Sequence, residues 1–222
     1  MVRRVCLLVL AGLAMAAPVA SRSSTVIVST TTSTQDSGLL DVLVPMFEKK
    51  SGMSVKMISV GTGQALALAA RGEADVTLAH APELERRYVA EGKMLNRRLV
   101  MYNDFVIIGA WYIESGQGMG QTLGIANDRR AYILSDRGTW LAFQRRVSLP
   151  ILIEKDTLLL NIYSVMEVNP ANGPRVNAAG GKAFADFMLA PETQAVIRTF
   201  GVDRYGQPLF VPIAGKSDAD FR

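Results

Sequence analysis

Short strands rich in β-branched residues alternate with helical segments through the first half of this chain, and this alternation limits the folds open to it. The apolar patterns predict strands at residues 25–29, 54–60, 75–80 and 104–109, with helices after the first two. A β-α-β-α-β series is typical of an α/β lobe with a largely parallel sheet. The sequence therefore predicts the α/β fold class.

The rhythm of the elements changes after residue 109. A glycine loop at 116–120 (GQGMG) precedes a predicted helix at 122–127, and predicted strands follow at 131–134, 150–154 and 162–169. Two further helices are predicted at 181–189 and 191–200. The length of 222 residues is compatible with one or two domains.

The first twenty residues have the features of an export signal. Arg3 and Arg4 precede an apolar run over residues 5–15, and small residues follow, with Ala14-Met15-Ala16 as one candidate cleavage site. The run is short for a membrane span, and a retained anchor is the alternative. We expect residues 1–20 to be a signal peptide and the protein to be periplasmic.

Charge and cysteine content exclude several classes of function. Cleavage after Ala20 would remove two of the 24 basic residues and none of the 20 acidic ones, so the net charge would fall from +4 to +2. The basic residues are scattered, so no nucleic-acid partner is expected. Cys6, the single cysteine, lies inside the predicted signal, and the chain has one histidine. Neither a thiol nucleophile nor a transition-metal centre is therefore expected, and no cofactor is predicted.

Three turns between strands and helices are candidate anion sites: residues 30–34 (TTTST), 61–63 (GTG) and 116–120 (GQGMG). A helix N-terminus has unpaired N–H donors and a partial positive charge, and glycine lets a ligand approach the backbone closely. Thr32 and Ser33 also have capping-box spacing, so ordinary helix capping explains any one turn adequately. Three such turns together strengthen the anion-binding interpretation.

No constellation in the sequence indicates catalysis. His80, the sole histidine, ends an apolar strand, which indicates a packed or hydrogen-bonded side chain. The GQGMG loop has neither the Lys-Ser/Thr of a Walker loop nor the spacing of a dinucleotide fingerprint. A hydrolase or transferase that uses the hydroxyl-rich loops is the alternative from another class, and it lacks a recognisable base beside a nucleophile. The sequence thus predicts no catalytic residues.

Several longer motifs resemble the substrate-binding protein of tungstate ABC transporters. The resemblance covers nearly the whole chain after the signal, and TTTSTQDSGLL with YNDFVIIG is its most specific part. The similar stretches are VSTTTSTQDSGLLDVLVPMFEKKSG (28–52), VGTGQAL (60–66), GEADVTLAHAP (72–82), VMYNDFVIIG (100–109), ESGQGMGQTL (114–123), AYILSDRGTWLAF (131–143), IYSVMEVNP (162–170) and FGVDRYGQPLF (200–210).

The resemblance implies a fold similar to type II periplasmic binding proteins, in which two lobes close like a hinge on tungstate or molybdate. Such a protein passes the oxyanion to the membrane permease of an ABC importer, without covalent chemistry, and is expected to be a monomer. By this comparison, residues 25–109 together with 160–210 form lobe 1. Residues 111–159 form what is present of lobe 2.

The chain departs from the family after Ala110. The family has there a segment of some tens of residues with the motif RGDDSGTH, whose Arg and Thr help to bind the anion. In this chain Ala110 is followed directly by Trp111. The resemblance therefore implies that lobe 2 is incomplete and exposes apolar surface. Losing one Arg and one Thr contact is expected to weaken binding by about two to four decades.

The resemblance places the anion-facing positions of lobe 1 in the TTTST and GTG turns, and those of lobe 2 in the glycine loop and the strand after it. Thr32 and Thr62 are the first choices, as hydroxyl donors to a tetrahedral dianion. The alternative to a working binding protein is a degenerate relative that folds partly and binds weakly or not at all. The full set of expected ligand residues is Thr31, Thr32, Ser33, Thr62, Gly63, Gly118, Met119 and Ser135.

Overall fold

The computed structural model describes residues 25–108 and 119–221. The predicted signal, Cys6 and Gly118 lie outside these residues. In chain order the strands are β1 (Thr25–Thr31), β2 (Ser54–Val60), β3 (Val76–Ala79), β4 (Met94–Ile108), β5 (Ile133–Asp136), β6 (Ile151–Ile153), β7 (Leu160–Val168) and β8 (Val211–Pro212). The α-helices are α1 (Thr32–Asp36), α2 (Leu39–Ser51), α3 (Thr62–Ala70), α4 (Pro82–Ala90), α5 (Met119–Arg129), α6 (Arg137–Phe143), α7 (Ala178–Leu189), α8 (Pro191–Thr199) and α9 (Val202–Tyr205).

The strands form a mixed sheet in the order β2-β1-β3-β7-β4-β5, with β6 and β8 each paired to β4. β1 is parallel to β2 and β3, as the alternation predicts. β4 runs in the same direction as β3, but β7 lies between them and pairs with both in antiparallel fashion. The expectation of a largely parallel sheet is therefore right for β1 to β3 and wrong beyond them. The reason is that a strand from late in the chain enters the sheet, which local sequence patterns do not show.

Helices cover both faces of the first part of the sheet. On one face, Phe47 of α2 packs edge-on against Phe184 of α7, with 5.2 Å between ring centroids, over buried Val26 of β1. On the other face, Leu66 of α3 belongs to a second buried cluster with Met166 of β7. Strands buried on both faces are typical of this layer arrangement, and burial of the aromatic rings makes a large contribution to its stability.

Helix ends follow the sequence signals, with one correction. Gly52 ends α2 in the left-handed conformation (φ 71°), and its N–H donates to the carbonyl oxygen of Glu48, as the predicted glycine stop requires. The N-cap of α1, however, is Thr31 rather than Thr32 or Ser33, because Thr31 Oγ1 accepts from the Thr34 N–H. The predicted capping-box positions were therefore shifted by at least one residue.

β4 is long enough to belong to two groups of strands. Its residues up to Asp104 pair with β7, and from Phe105 onward it pairs with β5 and β6. A third buried cluster, which includes Val106, Leu123 and Ile133, joins the end of β4 to α5 and β5. The chain thus builds a second, smaller sheet on the continuation of one strand.

The opposite face of this smaller sheet carries exposed apolar side chains, as expected for an incomplete lobe. Leu134 pairs with Ile107, and Ile107 pairs with Ile153, so the three side chains form a row across three strands. Leu134 is 50% exposed and Ile153 is 49% exposed, and Tyr132 and Leu152 are exposed nearby. Helices of the described part of the chain are all too short or too polar to cross a membrane.

Candidate functional site

The turns after β1, β2 and β3 lie at one edge of the sheet. Thr31 is opposite Val60 in the β1–β2 register, and Thr30 is opposite Leu78 in the β1–β3 register. Because parallel strands present their carboxyl ends at the same edge, the starts of α1 and α3 and the residue after β3, His80, come together there. The TTTST and GTG turns are therefore neighbours in space, as the anion-site prediction requires.

A cluster of hydroxyl groups lies at the start of α1. Thr31 Oγ1 is 2.7 Å from Thr34 Oγ1 and 3.1 Å from Ser33 Oγ. Thr31 and Ser33 are 3% and 4% exposed, so the cluster is inside the protein rather than on its surface. Thr32 is only partly buried, and neither Thr32 nor Thr62 hydrogen-bonds through its hydroxyl to another described residue. Thr31 thus has a structural task as N-cap, whereas Thr32 and Thr62 have free donors.

His80 joins the hydroxyl cluster from the neighbouring strand end. Its Nε2 atom is 3.1 Å from Thr31 Oγ1 and 3.1 Å from Ser33 Oγ, and its ring lies 4.7 Å from the ring of Tyr163. Burial lowers the pKa of His80 below 6.5, against the nearby charge of Glu85, which raises it. The prediction of a packed, hydrogen-bonded histidine is confirmed.

A buried polar network continues from Tyr163 toward the smaller sheet. Asn161 Nδ2 donates to Tyr163 Oη and to Asn103 Oδ1, both at 3.0 Å, and Asn103 Nδ2 donates to Asp136 Oδ1 at 3.3 Å. Asp136 caps α6, because its carboxylate accepts from the N–H and the hydroxyl of Thr139 at 2.8 and 2.6 Å. These groups link the hydroxyl-rich edge to the start of α6, across the place where β4 passes between the two groups of strands.

Burial dominates the titration of this network. It raises the pKa of Asp136 above 3.8, although the hydrogen bonds from Thr139 and Asn103 oppose it. Burial raises the pKa of Tyr163 well above 10, and the charge of Asp136 adds to the effect. The pKa of Asp36, at the end of α1, is also raised, first by partial burial and then by the charge of Asp136. The phenol is therefore a neutral hydrogen-bonding group at physiological pH.

Sequence reasoning missed Tyr163, Asn161, Asn103 and Asp136 as members of the site. Asn161 and Tyr163 are two residues apart on β7, so they share one face of the strand. Polar side chains at core-facing strand positions are a signal that these residues have buried partners. The pairing of Asn103 with Asn161 depends on the register of β4 against β7, which no local pattern specifies.

Two predicted ligand residues of the second lobe are described: Met119 lies at the start of α5, and Ser135 lies next to Asp136 of the polar network. Met119 begins α5, and a Cβ placed on the next residue, Gly120, would lie 3.1 Å from Asp36 Oδ2 of α1. The first turn of α5 is therefore close to the end of α1. Ser135 is fully buried, and its Oγ donates to the Asp136 carbonyl oxygen at 3.1 Å. In the first lobe, the predicted ligand residue Gly63 is exposed in the first turn of α3.

A cavity of about 450 Å³ lies beside the point where β4 passes between its two groups of strands, and it contains none of the predicted ligand residues. Arg137 lines it, and Arg137 Nη2 is 3.3 Å from Asp104 Oδ2 and 2.5 Å from Glu154 Oε2. Two carboxylates therefore neutralise the guanidinium, which leaves this cavity poorly suited to an anion.

The mixed sheet and the strand shared by two groups of strands fit the two-lobed fold of periplasmic binding proteins. The family model for the PBP superfamily domain matches residues 18–111 and 109–192. The chain belongs to this family.

Several of the proteins similar to this chain are tungstate-binding proteins. The tungstate-binding protein TupA of Peptoclostridium acidaminophilum is 36% identical over 247 residues, which cover 86% of this chain and 86% of the relative. The solved structure of a tungstate ABC transporter protein from Geobacter sulfurreducens is 37% identical with a TM-score of 0.73, over 79% of this chain and 98% of that one. TupA from Desulfovibrio alaskensis G20 is 32% identical with a TM-score of 0.73, over 86% and 99%.

These comparisons also bear on the length of the second lobe. The alignment with the Peptoclostridium protein extends over 247 positions, more than the 222 residues of this chain, so the relative has positions with no counterpart here. The two segments that match the family model meet at residues 109–111, where the sequence predicts the missing segment. The second lobe is shorter than in the relatives.

Proposed function

We propose that this chain is an exported binding protein for a tetrahedral oxyanion, tungstate or molybdate, and that it feeds an ABC importer. The observation that carries the proposal is the meeting of the TTTST turn, the GTG turn and His80 at one edge of the sheet. The relatives named as tungstate-binding proteins support the choice of ligand. The first twenty residues act as the export signal, and the mature protein is a periplasmic monomer that contacts the permease.

The chemistry of the edge suits a ligand that only accepts hydrogen bonds. Tungstate and molybdate present four oxygen atoms and no donors, so they need hydroxyl and N–H groups. The hydroxyls of Thr32 and Thr62 and the N–H groups at the start of α3 supply such donors. Residues Thr31, Ser33, Gly63, Gly118, Met119 and Ser135 complete the proposed ligand set. Binding involves no metal site, no cofactor and no covalent step.

We propose that two lobes close on the oxyanion and that the chain passes from one lobe to the other at β4 and β7. Lobe 1 comprises residues 25–109 and 160–210, and residues 111–159 form the shortened lobe 2. In this arrangement the oxyanion lies between the lobe 1 turns and the start of α5. A shorter lobe 2 offers fewer contacts, so we expect weaker binding than in the full-length relatives.

Catalysis at the same edge is less well supported. His80 Nε2 is 3.1 Å from Ser33 Oγ, so the structure does supply the base beside a nucleophile that the sequence did not show. Ser33 is, however, only 4% exposed, and no carboxylate of the described residues hydrogen-bonds to the imidazole. A buried nucleophile without an orienting carboxylate does not form the arrangement that activates serine. The relatives are binding proteins, and we propose that this chain is not an enzyme.

Removing the two free hydroxyls tests the proposal. Thr32→Val and Thr62→Val should each weaken tungstate binding about tenfold or more, because a hydrogen bond to a charged ligand contributes about 1.5–3 kcal/mol. Thr199→Val is the matched control, since Thr199 is an exposed threonine at the end of α8. Isothermal titration calorimetry measures the affinities. Equal affinities for all three variants and the unmodified protein would rule out these turns as the site.

A further inference from the structure

The imidazole of His80 is in contact with two hydroxyls of the proposed oxyanion site at the same time. Its Nε2 is 3.1 Å from Thr31 Oγ1 and 3.1 Å from Ser33 Oγ. Thr31 Oγ1 is in turn 2.7 Å from Thr34 Oγ1. The three hydroxyls and one ring nitrogen therefore form a connected set, and the hydrogen position on any member restricts the others.

The protonation of the ring decides which way these hydroxyls donate. The side chain of Asn161 and the backbone of His80 itself also lie near the ring, and both favour its protonated form and so raise the pKa of His80. Oδ1 of Asn161 is buried and has no hydrogen-bond partner among the described residues, so a ring N–H at Nδ1 directed toward it would satisfy this oxygen. A neutral ring that donates from Nδ1 presents a lone pair at Nε2.

A lone pair at Nε2 accepts a hydrogen bond from one hydroxyl of the set. The hydroxyl that donates to it has no second hydrogen, so it offers an oxyanion only its oxygen. A proton on Nε2 reverses this bond: the ring donates to the hydroxyl oxygen, and the hydroxyl hydrogen is released for another acceptor. The site then gains one hydrogen-bond donor and one positive charge.

We propose that His80 is a positioning residue of the oxyanion site: its Nε2 fixes the hydrogens of the Thr31 and Ser33 hydroxyls and so sets how many hydroxyl donors are available to the ligand. This inference rests on the proposed oxyanion-binding function. It assigns to the single histidine a control of affinity by pH. Protonation also supplies a cation within the lobe 1 half of the site.

Charged and titratable groups on several neighbouring elements surround His80. Glu85 of α4 is fully buried, favours the protonated ring by its charge and is paired with Arg97 at 2.8 Å. Tyr163 of β7 contributes a neutral ring. Farther away, Asp36 and Asp136 have raised pKa values, so a fall in pH also removes negative charge near the site. A histidine variant is therefore needed to separate the contribution of the ring.

Nitrogen NMR of the ligand-free protein shows which imidazole nitrogen of His80 carries the proton. The chain has one histidine, so the ¹⁵N resonances of its imidazole need no assignment in a protein without a histidine tag. We expect the Nδ1–H tautomer at pH 8 and an imidazole that titrates below pH 6.5. A neutral ring protonated at Nε2 would overturn the proposal, because Nε2 would already donate to the hydroxyls.

The pH dependence of tungstate affinity tests the effect on the ligand. As the pH falls through the imidazole titration observed by NMR, the affinity of the unmodified protein should rise about 10- to 100-fold more than that of His80→Gln, since one charge-assisted hydrogen bond is gained. His80→Gln keeps a polar group in place and cannot titrate, so it should bind with a flatter pH profile. Addition of tungstate should also raise the pKa of the imidazole, because coupling between the two binding events is reciprocal.

The two measurements distinguish failure of this inference from failure of the proposed function. Parallel pH profiles for the unmodified protein and His80→Gln, both binding tungstate, would overturn the role of His80 and leave the oxyanion site intact. Absence of tungstate binding at every pH would overturn both the function and its control by His80, whatever tautomer the ring adopts.

Discussion

Replacing Asp136 by alanine removes the acceptor at the centre of the buried network. The carboxylate accepts from the Thr139 N–H at 2.8 Å, from the Thr139 hydroxyl at 2.6 Å and from Asn103 Nδ2 at 3.3 Å. Loss of an N-cap costs about 1 kcal/mol, and a buried donor left without a partner costs about 1–3 kcal/mol. We therefore expect Asp136→Ala to lower the free energy of unfolding by about 2–4 kcal/mol.

Asp136→Asn is the matched variant. Its amide oxygen still accepts from the Thr139 N–H, and it removes the charge that burial disfavours. The loss of stability should therefore stay below about 1 kcal/mol. Urea denaturation followed by circular dichroism measures the free energy of unfolding of both variants. In thermal denaturation, a fall of about 2–4 °C in Tm is expected for each kcal/mol lost in a chain of this size.

The pH dependence of the difference between the unmodified protein and Asp136→Asn has a definite sign. Burial raises the pKa of Asp136 above 3.8, so the folded state holds this proton more tightly than the unfolded chain. The stability that this group contributes is complete below pH 3.8 and is lost as the pH rises through the folded-state pKa. The unmodified protein should thus lose stability relative to Asp136→Asn as the pH rises. A difference with the opposite slope, or an equal loss in both variants, would refute the reasoning.

Two further predictions concern packing and the exposed face. Gly181→Ala should destabilise the protein by about 2 kcal/mol or more, because a Cβ there would lie 2.2 Å from the carbonyl oxygen of Asp75, whereas Gly124→Ala, with nothing within 4 Å, should be neutral or stabilising in thermal denaturation. The exposed row should make the monomer associate weakly at high protein concentration, and Leu134→Thr should reduce this concentration-dependent association in sedimentation velocity. Val42→Thr, at a similar exposure of 41%, should not reduce it; equal association of both variants would contradict a special role for the exposed face.

Local patterns predicted the first strands and the position of the turns well. β2 has the predicted bounds, and β1 extends two residues beyond them, because β-branched runs bounded by glycine and hydroxyl residues are strong local signals. The shared edge of the TTTST and GTG turns results from the parallel pairing of β1 with β2, which the predicted β-α-β series favours. Helix α4 was missed: its mean hydropathy is low, and a single residue, Glu85, is buried on it.

The rest of the site depended on contacts between distant parts of the chain. His80 was expected to be hydrogen-bonded, but its partners Thr31 and Ser33 lie almost fifty residues away in sequence. The Asn103–Asn161 pair exists because β7 enters the sheet beside β4. Local sequence patterns do not show which distant strands pair, so the polar network that joins the two parts of the site could not be predicted.

Calorimetric titration of the mature chain with tungstate, molybdate, sulfate and phosphate tests the central claim most directly. We predict saturable binding of tungstate or molybdate with one site per chain, weaker than that of the Peptoclostridium acidaminophilum protein measured beside it. Absence of heat and of any thermal stabilisation at millimolar tungstate, with the Peptoclostridium protein binding normally, would contradict the claim that this chain is an oxyanion-binding protein.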